Sequence, residues 1–237
     1  MYNTLYNILL LAINEMLTFL DVNNIFFTFF KYPMSYIEFF GTILNVGCVW
    51  LVAKNKILNW PIGILGTILF MFLFFQINLY ADFFEQIYFL ITGFWGWWVW
   101  ASGNKKVELG EKPIEKLTST SRFWWFVTIV FGTIALGYFT ANLHVYLPKF
   151  FVEPASFPYL DAFTTVMSFV ATIFLVHKKL DAWYLWILVD IIGIGLYWTK
   201  GVHLISLLYV VFLALATKGL MEWLKISKNS SSKIKTI

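Results

Sequence analysis

The apolar part of this chain is written twice. Residues 38–100, moved along by 123 positions, fall on 161–223 without a gap. Glu38 then meets Asp161, Phe40 meets Phe163, Thr42 meets Thr165, Lys56 meets Lys179 and Trp60 meets Trp183. Further along, Ile64 meets Ile187, Leu65 meets Leu188, Phe89 meets Phe212, Gly96 meets Gly219 and Trp100 meets Trp223. Twelve of the 63 positions are identical. Apolar segments match by chance, so the identity count carries little; the ungapped register and the shared landmarks carry more. A duplicated bundle is a common way to build a membrane transporter.

The medium is set by composition. Hydrophobic residues make up 60% of the chain and charged residues 13%, where soluble domains carry about 25% charged residues. With most of its 237 residues in apolar blocks, the chain leaves no room for a separate soluble domain. The basic balance is therefore a matter of membrane orientation and not of nucleic-acid binding. The single cysteine, Cys48, sits in an apolar run and reads as a small core residue. Residues 1–20 lack a basic start and a small-residue cleavage site, so no removable leader is expected.

A spanning helix needs about 20 largely apolar residues. Eight segments meet the pattern, near 2–20, 36–53, 60–78, 82–101, 122–142, 159–176, 183–199 and 202–224. The first carries Asn3, Asn7, Asn14 and Glu15 and is compatible with lying along the surface. Lysine and arginine are strongly asymmetric. The connections after the second, fourth and sixth segments and the C-terminal end hold 14 of them, and the opposite side holds only Lys31, Lys149 and Lys200. That bias predicts a cytoplasmic C-terminus. Trp95, Trp97, Trp98, Trp100, Trp124 and Trp125 flank the long basic connection and read as an interfacial belt. The Ser/Lys-rich tail from about Ser227 is expected to be disordered.

The expected organisation is an N-terminal helix and loop (1–35), a first three-helix repeat (36–101), a connection and linker helix (102–142), a loop with the second repeat (143–225), and a cytoplasmic tail (226–237). An odd number of crossings between the copies makes them parallel. The fold class is therefore an all-α polytopic membrane protein of 3+1+3 helices with one extra N-terminal helix. In such folds the substrate site is expected near the midplane, between repeats.

Polar residues at depth are costly and mark candidate sites. Glu38, Thr42 and Asn45 form one helical stripe, as do Asp161, Thr165, Ser168 and Thr172. Glu38 and Asp161 lie near helix starts, which suits capping or an interfacial position. For Asn45 and Ser168 two roles stay open, cavity lining and helix–helix hydrogen bonding. The most pointed set is Trp183, Trp186, Asp190 and Tyr197, which spacings of three, four and seven put on one face. Asp190 lies midway along an apolar segment, and no Lys or Arg lies at comparable depth. Either it is protonated or bonded to Thr or Tyr neighbours, or its partner is a cationic or hydroxyl-rich ligand. Trp faces suit a flat ring and attract a cationic one by about 0.5–2 kcal/mol, although Trp183 and Trp186 also suit packing. On the matched helix, Gly63 and Gly66 permit close approach and Thr67 stands in place of Asp190. Asp82 starts the fourth segment as a possible N-cap. Gln86, a turn deeper, can donate and accept toward a carboxamide or a sugar hydroxyl.

The run Asn59-Trp60-Pro61-Ile62-Gly63, the stretch Gln76-Ile77-Asn78-Leu79-Tyr80-Ala81-Asp82, Gln86, Gly96-Trp97 and Trp183-x-x-Trp186-x-x-x-Asp190 together resemble the PnuC family of bacterial vitamin transporters, over about residues 36–224. The resemblance implies uptake of nicotinamide riboside by facilitated diffusion across the cytoplasmic (inner) membrane, through a fold like that of SWEET sugar transporters. It further implies a homotrimer and trapping of the substrate by a cytoplasmic kinase, as part of NAD biosynthesis. Related members carry thiamine or riboflavin, and spacing alone does not choose the vitamin. The expected substrate-binding set is Trp183, Trp186, Asp190, Tyr197, Gln86, Thr67, Asn45 and Tyr80. The expected partners are that vitamin, the lipid bilayer and further copies of the chain, with no nucleic acid, metal or cofactor.

Two other classes compete. An intramembrane enzyme would need a catalytic cluster, but His144, His177 and His203 sit at segment ends or in connections and none has metal-ligand spacing. A non-transporting subunit would not need polar stripes repeated inside both copies. No enzymatic activity is expected.

Overall fold

The computed structural model describes residues 2–29, 31–77, 80–106, 114–149, 154–201 and 203–234. Its helices are α1 (Tyr2–Leu20), α2 (Tyr36–Ala53), α3 (Asn59–Gln76), α4 (Tyr80–Lys106), α5 (Ser119–Ala141), the short α6 (Leu143–Tyr146), α7 (Pro158–Val176), α8 (Asp181–Thr199) and α9 (His203–Ile234). All eight expected segments are helical. Six of them, α2, α3, α5, α7, α8 and most of α9, are long and apolar enough to cross a membrane. In α1, asparagines and Glu15 interrupt the apolar run. In α4, Tyr, Trp and Gly dilute it, together with Asp82, Glu85 and Gln86.

Helix limits recur at the repeat spacing. α2, α3 and α4 begin 122 or 123 residues before α7, α8 and α9, and the ends of α2 and α3 precede those of α7 and α8 by 123. The cap at the end of α2 is also copied. Asn55 and Lys178 both take left-handed backbone, at φ 53° and 52°. The amides of Lys54, Asn55 and Lys56 donate to the carbonyls of Trp50, Val52 and Leu51. At the end of α7, the amides of His177, Lys178 and Lys179 donate to those of Ile173, Leu175 and Phe174. This is the Schellman arrangement, which satisfies the last carbonyls of a helix.

Two compact units partition the chain. One holds Met1–Cys48 and Leu58–Phe94; the other holds Val49–Ile57 and Trp95–Ile237. In the first, strands β1 (Ile25–Phe29) and β2 (Tyr32–Ser35) form an antiparallel hairpin. The sequence pattern predicts only a loop for these residues. The hairpin is held by rings: Phe26 packs on Tyr36 and Phe39 at 4.6 and 5.2 Å. Tyr32 Oη donates at 2.7 Å to Glu38, which lies in the first turn of α2. Partial burial, and then the bond to Glu38, push the Tyr32 hydroxyl above the usual tyrosine range. Gln76 fastens the opposite end of α3, donating to the Leu20 carbonyl at 2.7 Å and accepting from the Val22 amide.

In the second unit α5 packs on α7, and α7 and α9 both pack on α8. Ile129, Met167, Val170, Phe174, Ala182 and Val189 form its apolar core. The far side of α5, with Phe123, Trp124, Phe126, Phe131, Ile134 and Tyr138, is exposed, as a lipid-facing surface should be. The chain entering α5 is pinned to the α7–α8 turn. Asp181 is buried, accepting from Arg122 Nε at 2.7 Å and from the Leu117 amide at 2.8 Å. Glu115 pairs with Lys179 and exchanges backbone bonds with Lys178 and Leu180.

Two expectations are corrected. The tail is not irregular from Ser227, because α9 continues to Ile234; residues 235–237 lie outside the described residues. Trp100 does not belong to the interfacial belt with Trp95, Trp97, Trp98 and Trp124. Those four are exposed, whereas Trp100 is buried and its indole N–H is bonded to protein carbonyls. Trp125 also turns inward, edge-on to Phe174 at 5.2 Å.

Candidate functional site

α8 presents the face that the spacing predicts. Trp183, Asp190 and Gly193 are buried and Trp186 and Tyr197 half-buried, while Tyr184, Leu188, Ile191 and Trp198 point outward. The four candidates nevertheless differ in what they touch.

Asp190 is 3% exposed. Among the described residues no hydrogen bond or ion pair reaches its carboxyl. The next lysine along the chain, Lys200, lies ten residues away, about 15 Å along a helix. It is engaged elsewhere, with Nζ 2.7 Å from Asp161 Oδ1. Asp161, in the first turn of α7, is thus paired with Lys200, and among the described residues Asp190 is left as a buried carboxyl without a partner.

Trp183 is a packing residue. Its ring lies against Gly219, where an added Cβ would come within 2.5 Å of it, and edge-on to Trp223 at 5.5 Å. Trp186 lies along the core formed by α5, α7 and α8. Among the described residues the buried indole nitrogens of both have no hydrogen-bond partner, which is uncommon for buried polar groups. Tyr197 stacks on Tyr209 of α9, with centroids 5.3 Å apart and planes inclined by 19°. Tyr209 in turn occupies the space beside Gly193, where a Cβ would meet its ring at 2.5 Å. Helical spacing along α8 does not by itself single out Tyr209. The signal that could have found it is Gly193, one turn beyond Asp190, which makes room on the inward face.

Three further candidates belong to the first unit. Asn45 donates to the Gly41 carbonyl of its own helix at 2.9 Å and packs against Gly66 of α3, so the close neighbour that Gly66 permits is a side chain. Gly63 similarly faces Cys48. Thr67 and Gln86 are buried, and among the described residues no hydrogen bond reaches the Gln86 carboxamide. Asp82 falls in the first turn of α4, past the cap position. The side chains of Tyr80 and His203 lie outside the described residues. Of the other histidines, His177 packs edge-on to Trp95 at 5.2 Å. Among the described residues, no group of three His, Cys, Asp or Glu could hold a metal ion.

Membrane-length apolar helices, with a carboxyl inside one of them that no described residue pairs, define a multi-pass membrane protein with polar chemistry kept at depth. The family model described as "Nicotinamide mononucleotide transporter" matches residues 35–225, and the chain belongs to that family, the PnuC family of membrane transporters. The nicotinamide riboside transporter PnuC of Escherichia coli is 28% identical over 85% of this chain and 90% of its own. The riboflavin/roseoflavin transporter RibM of Streptomyces davaonensis is 24% identical over 89% of this chain and 94% of its own. A crystal structure described as the vitamin B3 transporter PnuC superposes with a TM-score of 0.64. It is 21% identical and covers 96% of this chain and 92% of that one, so it shares the fold.

Proposed function

We propose that the protein takes up nicotinamide riboside by facilitated diffusion, alternating between states open to either side of a bacterial cytoplasmic membrane. In this reading 36–101 and 143–225 are parallel three-helix repeats joined by α5. The observation that carries the reading is Asp190. A buried carboxylate needs a compensating charge, and the flat pyridinium ring of the riboside supplies one. Trp186 and Tyr197 on the same face give that ring aromatic surface. Trp183 is a weaker candidate, because its ring is committed to Gly219 and Trp223. Gln86, Thr67, Asn45 and Tyr80 have the chemistry for the carboxamide and the ribose, and each is a separate proposal with its own variant.

Charge also discriminates among the substrates that the relatives' names suggest. A mononucleotide adds a phosphate of about −2 charge, which a partnerless Asp190 would repel and which calls for Arg or Lys at the site. Riboflavin has an uncharged ring system and would leave Asp190 without a countercharge. Thiamine is a flat cation and remains the competing substrate. The sequence has no nucleotide-binding motif, which favours a passive carrier whose product is trapped by cytoplasmic phosphorylation. The lysine bias supports a cytoplasmic C-terminus, and family resemblance supports a homotrimer.

Counterflow in proteoliposomes tests the reading. Labelled nicotinamide riboside should exchange with unlabelled riboside and not with riboflavin or the mononucleotide. Exchange driven by thiamine alone would replace the substrate. Substrate-dependent acidification of the vesicles would replace facilitated diffusion by proton coupling.

A further inference from the structure

We propose that Trp100 and Trp223 form a reciprocal clasp that closes the lysine-rich end of the two repeats, and that the clasp must part for substrate to leave on that side. The inference rests on the transport reading above. The two residues stand 123 apart, in the C-terminal halves of α4 and α9, and both are buried, at 4% and 0% exposure. Trp223 Nε1 donates to the Val52 carbonyl at 3.0 Å. Trp100 Nε1 donates to the carbonyls of Leu175 and Val176 at 3.3 and 3.2 Å. Val52 and Leu175 are themselves 123 apart. Each tryptophan therefore reaches from the last helix of one repeat to the end of the first helix of the other. The two rings meet at 6.5 Å.

The copied caps explain why these carbonyls are available. Val52 and Leu175 each accept the amide of the left-handed residue three positions on, Asn55 or Lys178. A carbonyl has two lone pairs, so each can also accept an indole N–H. Tryptophans that merely anchor a helix at the interface keep the ring partly exposed and the N–H toward water; these two do neither. Further contacts join the same two ends. Lys54 Nζ is 2.9 Å from Glu222, and Lys178 Nζ lies 4.4 Å from the centre of the Trp100 ring.

The contacts are of the kind that can be undone. The indole bonds are neutral, and those of Trp100, at 3.3 and 3.2 Å, are at the long end of the N–H···O range. Lys54 is 39% exposed, and ion pairs open to water are individually weak. The contact between the two rings joins the halves, so parting one opens the other to its neighbours.

The test uses the full chain with Cys48→Ala, which removes its one cysteine, carrying Lys54→Cys and Glu222→Cys on the rim of the clasp. A short bis-methanethiosulfonate bridges the pair, and dithiothreitol releases it. Bridging should cut riboside uptake into proteoliposomes by about tenfold or more, leave riboside binding in detergent within about threefold, and be reversed by reduction. Full uptake by bridged protein, with the bridge verified by mass spectrometry, would overturn the gate. A second readout needs neither substrate nor bridge. Thr172→Cys, one turn inside the clasp, should react with a soluble maleimide about tenfold faster when Trp100→Phe and Trp223→Phe remove both indole N–H groups. An unchanged rate overturns the clasp. If the reduced protein carries no riboside, the transport reading fails, and the labelling rate still judges the clasp.

Discussion

α3 and α8 end 123 residues apart in the sequence, and setting them side by side separates what the two helices share from what differs. Asn59, Trp60, Gly66, Thr67 and Leu73 are buried in α3; Ala182, Trp183, Val189, Asp190 and Leu196 are buried in α8. Every one of these pairs is 123 residues apart. Most of the inward stripe therefore recurs at this spacing, Ile64, Asp181 and Gly193 excepted, while the chemistry within it differs. Where α3 has a small, easily satisfied hydroxyl at Thr67, α8 has a carboxyl that no described protein group compensates. Where α3 has Gly63, filled by Cys48, α8 has the indole of Trp186. α3 keeps a bland stripe, and α8 carries the charge and the aromatic surface.

Truncating the unlike pair should break the comparison most sharply. Asp190→Ala should weaken riboside binding by about 30-fold or more, since removing one partner of a buried charge pair costs roughly 2–5 kcal/mol. Thr67→Ala should stay within about threefold. Without ligand the order reverses. Asp190→Asn removes an uncompensated carboxyl and should raise the melting temperature of the empty protein by a few degrees, with about 2–4 °C expected per kcal/mol at this size. Titration calorimetry and thermal unfolding read the two effects separately.

Trp186→Ala comes next. Losing a cation–π face worth about 0.5–2 kcal/mol should weaken binding of the cationic ring by roughly 2- to 30-fold. Trp183→Ala should act on stability instead, by about 3–5 kcal/mol for a buried Trp, with binding affected only as folding is lost.

The turns preceding the two helices sharpen the same contrast. Asp181, which holds Arg122 and the Leu117 amide, has exposed Leu58 as its counterpart. Asp181→Ala should cost about 1.5–3 kcal/mol through its charge-assisted hydrogen bonds. Leu58→Ala should remain within about 0.5 kcal/mol. Heat-induced loss of the monodisperse peak in size-exclusion chromatography measures both.

The smallest effects lie within α8 itself. Gly193→Ala drives a methyl into Tyr209 and should cost about 1–3 kcal/mol. Gly195→Ala meets open space and should be neutral or stabilising by up to about 1 kcal/mol. Equal effects at the two positions would remove Tyr209 from the inward face.

Much of this was legible in the sequence, for physical reasons that can be named. Helix lengths follow from the apolar runs a membrane demands, so α2, α3, α7 and α8 fall close to where hydropathy puts them. The face bearing Asp190 follows from helical periodicity. The hairpin at 25–35 was not legible, because its aromatic run lacks a turn dipeptide and its register is set by packing of Phe26 on α2. The end of α9 was missed because polarity signals departure from a membrane, and a helix does not have to stop there. Trp100 was misplaced because tryptophan near a basic loop has two uses, anchoring and packing. Only its 123-residue partnership with Trp223 separates them, and that pairing was already in the alignment. The partners of Asp181 and the ring over Gly193 come from elements far apart in the chain, which periodicity cannot join.

The account stands on Asp190 as the countercharge of a flat cationic ring. The most direct measurement titrates purified protein with nicotinamide riboside and with its reduced dihydro form, which has nearly the same shape and no ring charge. Wild-type protein should bind the cation more tightly by about tenfold or more, and Asp190→Asn should abolish that preference. A preference that survives unchanged in Asp190→Asn would contradict the account.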